Sequence, residues 1–390
     1  MDDYDLCIVG AGLIGSSAAR HAVSSTKNVK VCLIGPEEAK DRSQNAARDI
    51  FGAWYDEGRI TRQCDKDPVW LELAKRSINR YRDLEKESGI KFYTEVGCLS
   101  AGDINGELLS SMYKTAIENG LNVEHYNKQT LKKRFPYLNF NPSDEALFEF
   151  HRAGHVSPRK LLTAQLSVAE RNGCDIINDV VKHIQRKVGR DGSYIMEVKT
   201  ETGRTITARK VLLAPGAYTT SRQLLPPQIV PNQTLTPLNV SLVEITDSLC
   251  RLYYTTDQET QDWCKDFQKA ADNTFGFYLL PPIKYPDGKY YLKLGCFHEH
   301  TTLRLTSADQ IKDVFCETRR PSINVKSFYG DRCVITETPT ERPYIDMIHS
   351  QLGVAIGGNG FAAKSSDEIG RIATMMVLKD VWDTKIARED

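Results

Sequence analysis

The sequence predicts an α/β protein of two parts. One is a Rossmann-like domain wound on a parallel sheet and assembled from three separated segments; the other is an α+β domain built on an antiparallel sheet. Three observations carry this expectation. The chain opens on a strand, glycine turn, helix and second strand within residues 4–38. A later run, Lys210-Val-Leu-Leu-Ala-Pro-Gly-Ala, has the form of a buried strand entering a glycine turn, and such a strand returns naturally to the first sheet. Around these lie alternating strands set off by proline-rich and polar stretches.

Leu6, Cys7, Ile8 and Val9 form an apolar run of strand length that stops at glycine. Gly10, Gly12 and Gly15 then spell G-x-G-x-x-G, with Leu13 and Ile14 inside the motif. A helix of small residues continues over 16–23 and a second strand over 29–34. Gly10 permits a tight turn, Gly12 lets the backbone approach a pyrophosphate, and Gly15 lets helix and strand pack closely. Glycine triplets recur in ordinary loops; the flanking strands within ~30 residues are what point to a dinucleotide. On this unit alone, NAD and FAD are served equally. The acid expected on the adenosine ribose falls near Gly35, with only Glu37 and Glu38 close by.

Residues 41–62 are polar and irregular, carry Arg42, Arg48, Arg59 and Arg62, and read as a loop over a ligand. Pro68 opens a helix with Trp70, Leu73, Ala74, Ile78, Tyr81 and Leu84 at helical spacing, ended by Gly89. A strand is expected over 92–100 and a helix over 107–118, closed by Gly120. Ser157 caps a helix with Pro158 at its first position, which runs to Gly173. Strands follow at 175–177 and at Val180-Val181, with a hairpin over 194–199 and 205–207. The proline-rich stretch 226–237 reads as a domain crossing. Beyond it come strands at 240–244, 275–280 and 290–297, a helix at 308–319, and strands at 333–336 and 353–356. A Gly357-Gly-Asn-Gly-Phe turn then leads to a helix opened by a Ser365-x-x-Glu368 capping box.

Composition excludes several classes. Fifty-one basic residues balance fifty-one acidic ones, which argues against a nucleic-acid or polyanion binder. No run reaches eighteen apolar residues, so no membrane span is expected. The N-terminus passes straight into the first strand without a signal-peptide core. Ten cysteines without C-x-x-C pairs read as reduced thiols, and the expectation is a cytoplasmic protein. His298 and His300 share one face of a strand end, but no third ligand accompanies them, so no metal is expected.

Six stretches carry a family resemblance: Gly10-Ala-Gly-Leu-Ile-Gly, Tyr55-Asp-Glu-Gly-Arg, Ala214-Pro-Gly-Ala-Tyr, Leu292-Lys-Leu-Gly, Cys333-Val-Ile-Thr-Glu-Thr-Pro-Thr-Glu-Arg-Pro-Tyr-Ile-Asp and Gly357-Gly-Asn-Gly-Phe-Ala-Ala-Lys-Ser-Ser. Together, over nearly the whole chain, they resemble the flavin-dependent amine and amino-acid oxidases of the D-amino-acid-oxidase superfamily. Within it, the branch of monomeric sarcosine, N-methyltryptophan and pipecolate oxidases is the most similar.

The resemblance implies a monomer that binds FAD and oxidises a secondary amine or N-substituted amino acid. Hydride passes to the flavin, an imine results, and oxygen becomes hydrogen peroxide. It implies an FAD-binding domain of residues 1–91, 149–230 and 330–390 and a substrate domain of 92–148 and 231–329. Cofactor contacts are implied for Gly10, Gly12, Leu13, Ile14, Gly15, Ser43, Arg48, Val181, Gly216, Gly357, Gly360, Phe361 and Lys364. Cys333 matches a cysteine that carries the flavin through a thioether, and Arg332 beside it would favour the thiolate. Lys293 would stabilise superoxide-like charge above the flavin. Lys364 would hold a substrate carboxylate, and Tyr278 matches a substrate-pocket tyrosine. Taken without the resemblance, these four are a buried thiol, a solvent-facing strand lysine, a helix-start lysine and a core aromatic.

The chain departs from the family's pattern where two arginines are usual, since Asp49 and Gly52 stand there. Arg48 is displaced by one residue and either compensates, or leaves Asp49 to meet a cationic substrate. Phe297 stands where the family has a histidine. A dehydrogenase using another electron acceptor and a non-catalytic flavoprotein remain alternatives.

Overall fold

A computed structural model describes residues 2–26, 28–39, 48–136, 138, 140–189, 192–229, 231–245, 277–296, 328–383 and 386. Its elements run β1 (Asp2–Val9), α1 (Leu13–Ser25), β2 (Val31–Ile34), β3 (Arg59–Thr61), α2 (Pro68–Ser88), β4 (Tyr93–Glu95), β5 (Cys98–Asp103), α3 (Glu107–Glu118), β6 (Glu124–Tyr126) and α4 (Lys128–Arg134). Next come β7 (Asp144–Glu149), β8 (Gly154–Val156), α5 (Pro158–Arg171), β9 (Cys174–Ile177), β10 (Val181–Val188), β11 (Tyr194–Thr200), β12 (Thr205–Leu213) and α6 (Tyr218–Ser221). The rest are β13 (Thr234–Ile245), β14 (Phe277–Lys284), β15 (Tyr290–Cys296), β16 (Phe328–Glu337), β17 (Tyr344–His349), β18 (Leu352–Ile356) and α7 (Ala362–Lys379).

The main sheet has eight strands. β9, β2, β1 and β12 are parallel neighbours, with Ile8 beside Leu33 and Leu212. β1 is apolar on both faces because both are covered. Leu6 and Ile8 join α1 and α7 in one core, while Cys7 and Val9 point into a second core against the β10–β12 side. The late strand does return to the first sheet, and it is longer than its sequence indicates. The hairpin arm at 205–207 and the apolar run from Lys210 form one strand, β12. Its first half pairs with β11 and its second with β18, both on the edge away from β1.

Three smaller sheets surround the main one: β3-β8-β4, β5-β7-β6 and the antiparallel β14-β15-β13-β16. β16, which carries Cys333, pairs with β13 over ten residues and lies in the last of these. The domain boundary expected at 330 therefore falls inside a strand of the antiparallel sheet.

Helix ends follow local chemistry. The Asp67 carboxylate caps α2 by accepting from the Val69 N–H (2.7 Å), and Gly89 closes it at φ 75°. Ser157 caps α5 through the Lys160 N–H (3.2 Å). Two expectations need correction. The strand expected over 92–100 breaks at Gly97 (φ 80°) into β4 and β5, which belong to different sheets. The last helix starts at Ala362, so Ser365 and Glu368 lie inside it and form no capping box. Glu368 instead takes Arg76, Arg80 and Arg371. The helix expected at 308–319, His298 and His300 lie outside the described residues. No helix among the described residues is long and apolar enough to cross a membrane.

A buried charge network fixes α7. Asp367, 1% exposed, receives Arg20 and His21 from α1, Arg80 from α2 and Gln165 from α5. Burial works to raise the Asp367 pKa, but His21, Arg20 and Arg80 outweigh it and hold the carboxyl well below its ordinary range. The network anchors the helix whose first turn carries Lys364.

Candidate active site

The glycine turn is dictated by contact distances. A Cβ on Gly10, which has φ 108°, would lie 2.3 Å from the Ala214 carbonyl oxygen, and one on Gly15 would lie 1.9 Å from that of Gly10. Gly12 is different: a Cβ there meets nothing nearer than Trp54 at 3.9 Å, so no protein neighbour requires its glycine. Gly12 is also the N-cap of α1, which has neither a side-chain cap nor an acid in its first turn. Free N–H groups, a positive helix end and room at Gly12 together form a cradle for a pyrophosphate. The residues present fit a dinucleotide.

That cradle opens into a cavity of about 740 Å³, within the range of roughly 300–1,000 Å³ usual for small-molecule sites. Of the residues expected from the sequence, Gly10, Gly12, Leu13, Ile14, Val181, Gly216, Tyr278, Cys333, Gly357, Gly360, Phe361 and Lys364 line it. Gly15 sits beneath the turn. Ser43 lies outside the described residues. Arg48 is not on the wall; its guanidinium donates to the Glu37 carbonyl.

At the nucleotide end, Gly35 stands where an acid was expected because the Ala11 nitrogen would lie 2.4 Å from any Cβ there. Glu38 is held by Arg159, whose Nε and Nη2 reach it at 2.8 and 2.7 Å. The acid on this part of the wall is Asp179, which accepts from Val180 N–H and the Thr202 hydroxyl. It comes from the β9–β10 turn, far from the motif in sequence.

Cys333 is buried on the wall of the cavity. Hydrogen bonds staple its strand to the glycine turn before α7, among them Asn359 N–H to the Thr336 carbonyl (2.7 Å), Gly358 N–H to the Thr336 hydroxyl (3.0 Å) and Thr338 N–H to the Asn359 side-chain oxygen (2.7 Å). The cation at its sulfur is Arg59, with Nη2 3.6 Å from Sγ. The Arg332 side chain, expected in this role, lies outside the described residues.

Arg59 shares Asp56 with Lys293. The Lys293 ammonium, 0% exposed, donates to Asp56 Oδ2 and to the Gly58 carbonyl (2.7 Å). The other Asp56 oxygen accepts from the Tyr285 hydroxyl (2.8 Å). Lys293 is therefore neither solvent-facing nor on the cavity wall; it lies behind Tyr278, 5.8 Å from that ring's centroid. The Tyr278 ring packs on Gly295, where a Cβ would come within 2.2 Å.

Lys364 pairs with Asp65 at 2.5 Å, both nearly inaccessible. Burial lowers the lysine's pKa, with Asp65 opposing. Burial would raise that of Asp65, but Lys364 and Arg62 overcome it and the carboxyl stays below its usual range. Arg62 lines the cavity nearby and donates through Nη1 to the Cys64 carbonyl at 2.7 Å. Glu149 beneath them accepts from Gln63 N–H, Gln63 Nε2 and Cys64 N–H at 2.8–2.9 Å, while burial raises its pKa. Asp49 is exposed and does not line this cavity. Gly52 is explained by Trp54, whose Nε1 would lie 2.3 Å from a Cβ at 52; the indole occupies the space an arginine would need. Asp56 and Asp65 were missed as site residues because their lysine partners, Lys293 and Lys364, lie more than two hundred residues away, while Arg59 and Arg62 were read only as part of a loop over a ligand.

A family model described as FAD dependent oxidoreductase matches residues 5–376, and the chain belongs to that family; it is an FAD-dependent oxidoreductase. Among individual relatives it is 24% identical over 405 residues to the monomeric sarcosine oxidase of Arthrobacter sp. (strain TE1826), covering 96% of this chain and 92% of the relative. It is 25% identical over 229 residues to the N-methyl-L-tryptophan oxidase of Yersinia pestis (strain Pestoides F), an alignment over 57% of this chain and 56% of the relative. In fold it is similar to L-proline dehydrogenase from P. horikoshii, with a TM-score of 0.69 at 15% identity, covering 99% of this chain and 96% of that one.

Proposed function

We propose that this protein is an FAD-dependent oxidase of a secondary amine or an N-substituted amino acid, with its flavin tethered through Cys333. The observation that supports this most directly is a single cavity that joins the Gly10–Gly15 cradle to Cys333, Tyr278 and the wall bearing Lys364 and Arg62. Bound FAD supplies the acceptor for the hydride of the amine α-carbon and passes the electrons to oxygen as hydrogen peroxide.

The chain's own part is binding, orientation and charge. The α1 N-terminus holds the pyrophosphate, and Arg59, fixed by Asp56, presents an N–H to the Cys333 sulfur. Tyr278, Trp54 and Tyr55 give the substrate an aromatic surround. No side chain is needed as base when the amine binds neutral. The division into a cofactor domain and a substrate domain belongs to the same reading.

Acid precipitation followed by a peroxide assay tests the proposal. Flavin that stays with the pellet of wild-type protein and moves to the supernatant in Cys333→Ala supports the tether; flavin free in both rejects it. Flavin bleaching by an amine without air, with peroxide formed in air, supports the activity. A dehydrogenase is favoured by one observation: the Lys293 ammonium is engaged by Asp56 away from the cavity wall. Substrate-linked flavin reduction with little peroxide in air would establish that reading instead.

A further inference from the structure

We infer that Asn359 is the positioning residue that sets Cys333 at the distance from the Gly10–Gly15 cradle at which one flavin dinucleotide reaches both. This rests on the tether proposed above and names what brings the sulfur into place. The two anchor points belong to different sheets. The cradle follows β1 of the main sheet, whereas Cys333 stands on β16, the edge strand beside β13 in the antiparallel sheet. A single ligand that must meet both needs the two sheets locked together close to the cysteine.

The lock is the turn between β18 and α7. β18 lies in the main sheet next to β12, which in turn lies next to β1. The turn that follows it runs against the end of β16. A Cβ on Gly357 would come 2.6 Å from Thr338 Cγ2, so glycine lets turn and strand lie this close. Asn359 N–H donates to the Thr336 carbonyl (2.7 Å), a bond that any non-proline residue could make. The side chain adds what the backbone cannot. Oδ1 accepts the Thr338 N–H and Nδ2 donates to the Gly357 carbonyl, each at 2.7 Å. One amide thus takes a main-chain donor just past β16 and fills a main-chain acceptor of the turn. Asn359 holds φ at 46°, in the left-handed region that asparagine enters more readily than most residues.

This join is made at the ligand. Cys333, Thr336, Thr338 and Asn359 all line the one cavity, and Asn359 and Thr338 are themselves buried. Without the side chain, Thr338 N–H and the Gly357 carbonyl lose these bonds where water is largely excluded, and the end of β16 is released from the turn. Attachment is sensitive to such a release. Forming the thioether takes one proton from the thiol and one from the ring methyl. Those two protons and two electrons pass through the flavin ring to oxygen, giving hydrogen peroxide. A shift of ~1 Å between reacting atoms costs on the order of 100-fold in rate.

The test follows acid-precipitable flavin over time in chains made under riboflavin limitation and then held with excess FAD in air. Asn359→Gly keeps the left-handed backbone and removes both side-chain bonds. It should attach flavin roughly 10- to 100-fold more slowly than wild type. FAD affinity is read separately, by quenching of flavin fluorescence in a Cys333→Ala background. There Asn359→Gly should bind FAD about as well as Cys333→Ala alone, because the cradle is untouched. If melts show Asn359→Gly unfolded, Asn359→Asp is the second variant; it keeps an oxygen for Thr338, loses the donor to Gly357, and should be slowed as well. Attachment as fast as in wild type overturns the assignment. So does a loss of affinity as large as the loss of rate, which marks a residue that only holds the fold. A slowing shared by Thr340→Ala, an exposed neighbour off the cavity wall, overturns it too. Wild-type flavin that never joins the pellet rejects the tether and this assignment with it, whereas a negative result confined to the Asn359 variants leaves the tether standing.

Discussion

Asp56→Asn isolates the interaction on which this half of the site depends. The side chain keeps its shape and loses its charge, so the fully enclosed Lys293 ammonium loses its Asp56 ion pair while keeping the Gly58 carbonyl, and the Arg59 guanidinium is released. Breaking a buried pair from one side costs about 3–5 kcal/mol, because the remaining charge is stranded. At about 2.1 cal/mol/K per residue over 390 residues, each kcal/mol shifts the midpoint by roughly 1.2 °C, so the melting temperature should fall by roughly 4–6 °C. Lys293→Met should cost less, since Asp56 keeps Arg59 and Tyr285. Urea melts of both single variants and the double variant give the coupling, which should reach at least 1 kcal/mol. A loss under about 1 kcal/mol for Asp56→Asn, with additive behaviour in the double variant, would falsify the claim that the two charges form one buried unit.

Other substitutions separate cofactor binding from folding. Gly12→Val should fold, with a melting temperature near that of wild type, but purify with little flavin; Gly15→Val should fail to fold because its Cβ overlaps the Gly10 carbonyl. Flavin absorbance per protein, read beside circular dichroism, checks both, and a flavin-replete Gly12→Val would remove the cradle. His155 is buried and its pKa falls from about 6.5 to about 4. The unfolded chain therefore takes up a proton that the folded one refuses. Stability should drop as pH falls from about 6.5 to about 4, by on the order of 3 kcal/mol, and His155→Gln should flatten that part of a pH series of melts. Asp367→Asn strands Arg20, while Arg80 keeps Glu368, so about 3–5 kcal/mol should be lost at neutral pH. The ionised Asp367 stabilises at any pH above the ordinary carboxylate value of about 3.9, and wild type should lose that contribution only as pH drops below it.

The sequence by itself determined the parts whose causes are local. The Gly10–Gly15 turn, the Ser157-Pro158 start of α5 and the Gly89 stop of α2 are each spelled by residues close together in the chain, and all appear where expected, although the close approach of Ala214 to Gly10 is a tertiary contact. The apolar run of β1 declares a strand covered on both faces. Family motifs extend this reach to Cys333, Tyr278 and Lys364, which do share the cavity of the glycine turn. What the sequence could not supply is which charge meets which. Lys293 finds Asp56 across 237 residues, Cys333 finds Arg59 across 274, and Lys364 finds Asp65 across 299. Such pairings follow from how the β3 segment is laid against the antiparallel sheet and the start of α7, and no periodicity or spacing encodes them. The tertiary structure alone decided that Lys293 and Lys364 each meet a carboxylate, and that Arg62, which lines the cavity, has none within ion-pair distance among the described residues.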